Sequence, residues 1–140
     1  MNLKMHKYTV EFRVDGIALI PSEVTALLGL QPCQVREAGI DGARKNGGKS
    51  LWAYDGFGLG TNSKHEWESL ESGLLFLLEK LLPKKNQIEL NFSNFDIYWW
   101  CGHFQQSFDG GPTFSPELLR RLADFGAPLI MDNYYSIEAG

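Results

Sequence analysis

A chain of 140 residues, 44% hydrophobic and 21% charged, has the size and composition of one globular domain. Seventeen acids against thirteen bases leave a net charge of −4, which argues against the basic face a nucleic-acid binder presents to phosphates. The longest apolar run, residues 74–78, is far too short to cross a membrane, and the first residues lack the apolar core of a secretion signal, so a soluble cytoplasmic protein is expected.

Taken in order, Tyr8, Val10, Phe12 and Val14 alternate with Thr9, Glu11 and Arg13. Period-two alternation predicts a strand with one buried face over 8–14, ended by Asp15-Gly16. Pro21 opens a short helix to Leu28, and Gly29 stops it. A second extended segment follows over 34–38. Asn46-Gly47 is a hairpin signal, because both residues tolerate positive φ, and 50–54 reads as the returning strand. Residues 56–62 form a glycine-rich loop, expected to be mobile. Ser63 and Glu66 suit a capping box for the longest helix, along which Trp67, Leu70, Leu74, Leu77, Leu78 and Leu81 follow helical spacing until Pro83. Residues 87–92 read as a strand, Ser93-Asn94 as a turn, and 95–101 as its hairpin partner. Ser115-Pro116-Glu117 combines a cap, a first-position proline and an acid in the first turn. The helix it starts runs to Phe125 and stops at Gly126, and 129–134 is the last strand.

The expected order is therefore β-α-β-β-α-β-β-α-β. Helices must cover a sheet face, so the fold class is α+β: a mainly antiparallel sheet with three helices packed on one face, in a single domain over 1–140. The first and last strand–helix units share their punctuation, which suggests either an internal repeat or merely common helix signals.

The residues that carry these elements also carry a resemblance. Y-T-V-E-F-R-V at 8–14, P-S-E-V-T-A-L-L-G-L-Q-P at 21–32, the single Trp52 of the middle strand and the block S-P-E-L-L-R-R-L-A-D-F-G-A-P-L-I-M-D-N-Y at 115–134 resemble the bacterial domain-of-unknown-function family numbered 4279. The resemblance covers nearly the whole chain. It implies one small domain, and it offers no assigned reaction and no catalytic residues.

Chemistry-bearing patterns are few. A-R-K-N-G-G-K-S at 43–50 satisfies a loose phosphate-loop pattern. A phosphate loop must open a helix, whereas a strand follows here. Arg44, Lys45 and Lys49 read better as a solvated basic hairpin tip. Cys101 and His103 share one strand face, and Asp109 lies nearby. A Cys–His–Asp set is conceivable, but neighbours on one strand align poorly for proton transfer. His6, His65 and His103 are scattered and lack metal-ligand spacing, so neither a metal nor a cofactor is expected. Cys33 and Cys101 read as free thiols of a reducing compartment. Asp96 and Asp132 are placed on neighbouring strands, where a carboxylate pair is conceivable.

Residues 102–115 draw most attention, because they place His103, Phe104, Phe108 and Asp109 in a loop between the most aromatic strand and a well-capped helix. Trp99 should point opposite to Tyr98 and Trp100, which leaves at least one tryptophan exposed or covered by a loop. Trp99, Trp100, His103, Phe104, Phe108 and Asp109 are therefore the expected partner-binding residues. The leading expectation is a non-catalytic protein-binding domain of immunity or inhibitor type that occludes a toxin or other basic protein. The alternatives are a small enzyme or ligand-binding protein using a cleft near Cys101, His103 and Asp109, and a homodimer formed through an exposed sheet face.

Overall fold

Residues His6–Gly16 (β1) form the central strand of a five-stranded sheet in this computed structural model, which describes residues 5–38, 48–59 and 64–136. The other strands are Gln34–Arg36 (β2), Ser50–Tyr54 (β3), Asp96–Gln105 (β4) and Leu129–Tyr135 (β5), in the spatial order β2-β3-β1-β4-β5. The β1–β3, β1–β4 and β2–β3 ladders are antiparallel, and only β4–β5 is parallel. Among the described residues three helices have eight residues or more: Pro21–Leu28 (α1), Leu70–Leu81 (α2) and, after a seven-residue helix Lys85–Asn91 (α3), Pro116–Phe125 (α4). The fold is α+β with a mostly antiparallel sheet.

The alternation of β1 holds. Tyr8, Val10, Phe12 and Val14 enter a core with Trp52, Trp99 and Cys101 from the neighbouring strands and with Val24, Leu74, Leu78, Leu118 and Phe125 from the helices. Phe12, Trp52 and Trp99 are fully buried, each such side chain contributing roughly 1.5–3 kcal/mol over exposure. The helix signals also hold. Pro21 opens α1, and Gly29 closes it at φ 68°. Ser115 Oγ accepts the Leu118 N–H at 3.1 Å, and Gly126 closes α4 at φ 91°.

Three expectations are corrected. Residues 87–92 are no strand and form no hairpin with 95–101: 87–91 belong to α3 and Phe92 caps its C-terminus, the helix being reached from α2 through a single 3-10 turn, Leu82–Lys84. The element order is accordingly β-α-β-β-α-α-β-α-β. Ile88 and Phe92, four apart, are buried while Leu90 between them is 80% exposed, so helical spacing wins over the apparent alternation. Second, α2 starts three residues later than Trp67, with Ser69 Oγ accepting the Ser72 N–H at 3.2 Å. Trp67 instead exchanges both main-chain hydrogen bonds with Tyr8, at 2.7 and 2.8 Å, on the edge of β1 that β3 occupies further along. Ser63 lies outside the described residues, as do Asn46-Gly47, although the antiparallel β2–β3 pair that the turn was expected to make is present. Third, β4 continues through Gly102, His103 and Phe104 to Gln105, so the first four residues of the expected loop are strand.

Candidate functional site

The extension of β4 fixes where the singled-out side chains go. Odd residues of β4 share the core face: Trp99 is fully buried between Phe12 and Phe125, with ring centroids 5.1 Å away in each case. Trp99 is therefore a core residue and is removed from the partner-binding set. Trp100 lies on the other face, yet it is 7% exposed. The Arg13 guanidinium and the Lys64 ammonium sit 4.2 and 4.9 Å from its ring, and its Nε1–H donates to Asp132 Oδ2 at 2.6 Å. Stacked cations and a carboxylate satisfy it locally, so Trp100 is not a bare anchor.

His103 is 4% exposed. It sits in the middle of a chain of three contacts: His6 Nε2 to the Asp109 carbonyl at 2.6 Å, His6 Nδ1 to His103 Nε2 at 2.8 Å, and His103 Nδ1 to Asn133 Oδ1 at 2.9 Å. Tyr8 stacks on the His103 ring with centroids 4.8 Å apart. Two of the three histidines expected to be scattered thus meet, brought together by the β1–β4 register that pairs Tyr8 with His103. His65 is elsewhere, stacked on Phe57. Among the described residues no group of three or more His, Cys, Asp or Glu is arranged to hold a metal.

The conceivable catalytic set does not assemble. His103 spends both ring nitrogens on His6 and Asn133, and Asp109 meets the chain through its main-chain carbonyl while its own N–H donates to Ser107 Oγ. Burial pushes the Cys101 thiol up to about 12, so it is not a thiolate at neutral pH. Cys33 is held at about 12 as well, by burial and then by the nearby carboxylates of Glu11 and Asp55. Both cysteines are free. The carboxylate pair fails too: Asp132 registers with Gly102, whereas Asp96 stands opposite Asp15 at the far end of β4. In the phosphate-loop pattern, residues 43–47 lie outside the described ones. Lys49 pairs with Asp96 at 3.7 Å, and Ser50 opens β3 and accepts the Ala38 N–H.

Of the expected partner-binding aromatics, Phe104 and Phe108 remain exposed, and both lie at one corner of the sheet. Phe104 stacks on Tyr134 with centroids 4.9 Å apart and planes at 12°, and Phe108, 75% exposed, stacks on Tyr135 at 4.1 Å and 11°. A shallow groove of about 140 Å³ runs between Met5, Lys7, Phe104 and Tyr134. The same corner ends an edge strand. Trp99 N–H donates to the Pro128 carbonyl and Ser136 N–H to the Gln105 carbonyl, so even-numbered residues along β5 bond to β4. The main-chain N–H and C=O groups of Leu129, Met131, Asn133 and Tyr135 aim outward, and among the described residues no strand pairs with them. Reasoning from sequence missed His6, Asn133, Tyr134 and Tyr135. The consecutive tyrosines at the end of the last strand were a visible signal; the pairing of His6 with a residue 97 positions away was not.

The chain belongs to the family described as a domain of unknown function, DUF4279, whose model matches residues 6–136. No curated protein and no solved structure matches it. Among the described residues, no helix is long and apolar enough to cross a membrane.

Proposed function

We propose that this chain is a non-catalytic, cytosolic protein-binding domain of immunity or inhibitor type. In this reading the helices all lie on the Phe12 face of the sheet, and the partner is engaged by the β4–β5 corner. The observation that carries it is the pair of solvent-exposed stacks, Phe104 on Tyr134 and Phe108 on Tyr135, beside a strand edge with which no strand pairs among the described residues. Aromatic side chains already held in stacks lose little rotamer freedom on binding and supply large apolar area, which is why aromatics dominate interface hot spots. The outward main-chain groups of β5 supply hydrogen bonds to an extended partner segment. Asp132, beside that edge, and the net charge of −4 favour a basic partner, which the domain would occlude sterically.

Trp100→Ala is a poor test, since that ring lies beneath Arg13 and Lys64. Phe104→Ala with Phe108→Ala is the better one. The double variant should keep its thermal midpoint within a few degrees and lose at least tenfold in affinity, about 1.4 kcal/mol, for a partner captured stoichiometrically by the wild-type chain and measured by calorimetry. Undiminished affinity sinks the assignment. A dimer on a sizing column that the double variant converts to monomer identifies the occupant of this corner as a second copy of the chain.

A further inference from the structure

The four ring nitrogens of His6 and His103 serve three hydrogen bonds, and their proton count is fixed by what stands at each end. The Asp109 carbonyl only accepts, so His6 Nε2 carries a hydrogen. With Asn133 Oδ1 facing the ring, His103 Nδ1 carries one too. A third lies between His6 Nδ1 and His103 Nε2, 2.8 Å apart. Three hydrogens make one imidazole and one imidazolium. Turning the Asn133 amide over lets its Nδ2–H₂ donate to His103 Nδ1. Two hydrogens then suffice, both rings are neutral, and all three bonds survive. A fourth hydrogen is different: it sets N–H against N–H at the centre and puts two positive charges on rings whose centroids are 5.0 Å apart.

Among the described residues, no carboxylate forms an ion pair with either ring. Tyr8 on β1 has its phenol pushed up by burial, Cys101 on β4 stays a thiol with its pKa at about 12, and Asn133 on β5 is neutral. In the loop after β4, Asp109 is exposed and presents its carbonyl to His6. Lys7, beside His6, pairs with Glu68. Both ends of the chain lead to the exposed stacks: Asp109 follows Phe108, and Asn133 precedes Tyr134.

We propose that the His6–His103 pair is a proton-operated latch: it holds the Phe108 loop and the end of β5 together while the pair carries at most one extra proton, and releases the loop when both rings are charged. The functional consequence rests on the reading of this corner as the binding surface; the latch itself does not.

The test uses the free wild-type chain, labelled for NMR and titrated downward from about pH 8 until both rings are charged. Ring nitrogen shifts report the charge on His6 and His103, and ring-to-ring contacts report Phe108 on Tyr135. The expected result is loss of the Phe108–Tyr135 contact in the same step that makes both rings imidazolium, while the Phe12–Trp99 core contact persists. In His6→Gln the amide bridges His103 and the Asp109 carbonyl without a second charge, and the Phe108–Tyr135 contact should survive to the acid limit. A contact that outlasts double charging in the wild type overturns the latch, whether or not the variant folds. Loss of the contact at an unchanged pH in His6→Gln overturns it as well. A clear acid step in a chain whose partner ignores Phe104→Ala/Phe108→Ala leaves the latch standing and overturns only the binding reading.

Discussion

Glu11 is 1% exposed on a strand face where the sequence pattern calls for a solvated acid. Arg13 Nε–H donates to its Oε1 at 2.8 Å, and the Lys64 ammonium lies 2.8 Å from Oε2, an ion pair without hydrogen-bond alignment. The same two cations cover Trp100, so one carboxylate organises the cover of one tryptophan. Glu11→Ala should cost about 2 kcal/mol, the usual loss for a charged hydrogen bond with its partner left behind, and should raise the exposure of Trp100. Urea midpoints and tryptophan quenching measure the two effects. Glu11→Gln keeps an acceptor for Arg13 and should recover part of the stability; equal losses in both variants would mean that the ion pair with Lys64 dominates. Alternation along 8–14 puts Glu11 on the polar face of its strand and sets Trp100 opposite to Trp99, but it is the β1–β4 register that brings Glu11 and Trp100 together. That the face is closed by Lys64, more than thirty residues before Trp100, is a tertiary fact with no local signal.

Local signals were read correctly where geometry is set within one turn of chain, and failed where two periodicities compete. Pro21, Gly29, Ser115 and Gly126 each act on their own helix end, and each sits where its chemistry requires. The segment Q-I-E-L-N-F alternates like a strand, but its Ile88 and Phe92 also stand four apart. A short helix continuing from α2 buries those two and leaves Leu90 in water, with Asn91 Nδ2 donating to the Gln87 carbonyl at 2.8 Å. Trp67 fits the helical spacing of α2 by coincidence, because its position is decided by the main-chain bridge to Tyr8. The α3 assignment makes a sharp prediction. Ile88→Ala should destabilise by about 2–4 kcal/mol, the range for truncating a buried aliphatic side chain, whereas Leu90→Ala should stay within about 0.5 kcal/mol. Chemical denaturation of both variants checks it, and comparable losses at the two positions would favour the strand.

At the scale of the molecule, the shared punctuation of the first and last strand–helix units does not give equivalent crossovers. The antiparallel β1–β3 and β3–β2 ladders leave β2 parallel to β1 but with β3 between them, while β5 lies directly beside β4. Helix caps encode where a helix begins and ends; they do not encode which strand the chain returns to, so the α+β class was legible and the strand order was not. The corner that gathers Phe104, Phe108, Tyr134 and Tyr135 exists because β5 is an edge, and it was hidden for the same reason. The sheet also buries acids whose protons the unfolded chain gives up more readily. Cys33 and Cys101 are raised from 9.0 to about 12 and Tyr98 from 10.0 to about 12, the last by burial and by its hydrogen bond to Asp15. Below about pH 9 both states hold these protons, and the contribution to stability is fully present. As pH rises toward about 12 the unfolded chain ionises first, binds fewer protons than the folded one, and is favoured. Urea midpoints should therefore fall steadily from about pH 9 to about pH 12. Tyr98→Phe, with no proton to lose, should show a shallower fall over the upper part of that range. A midpoint that holds steady or rises across it would mean that these groups meet similar surroundings in both states.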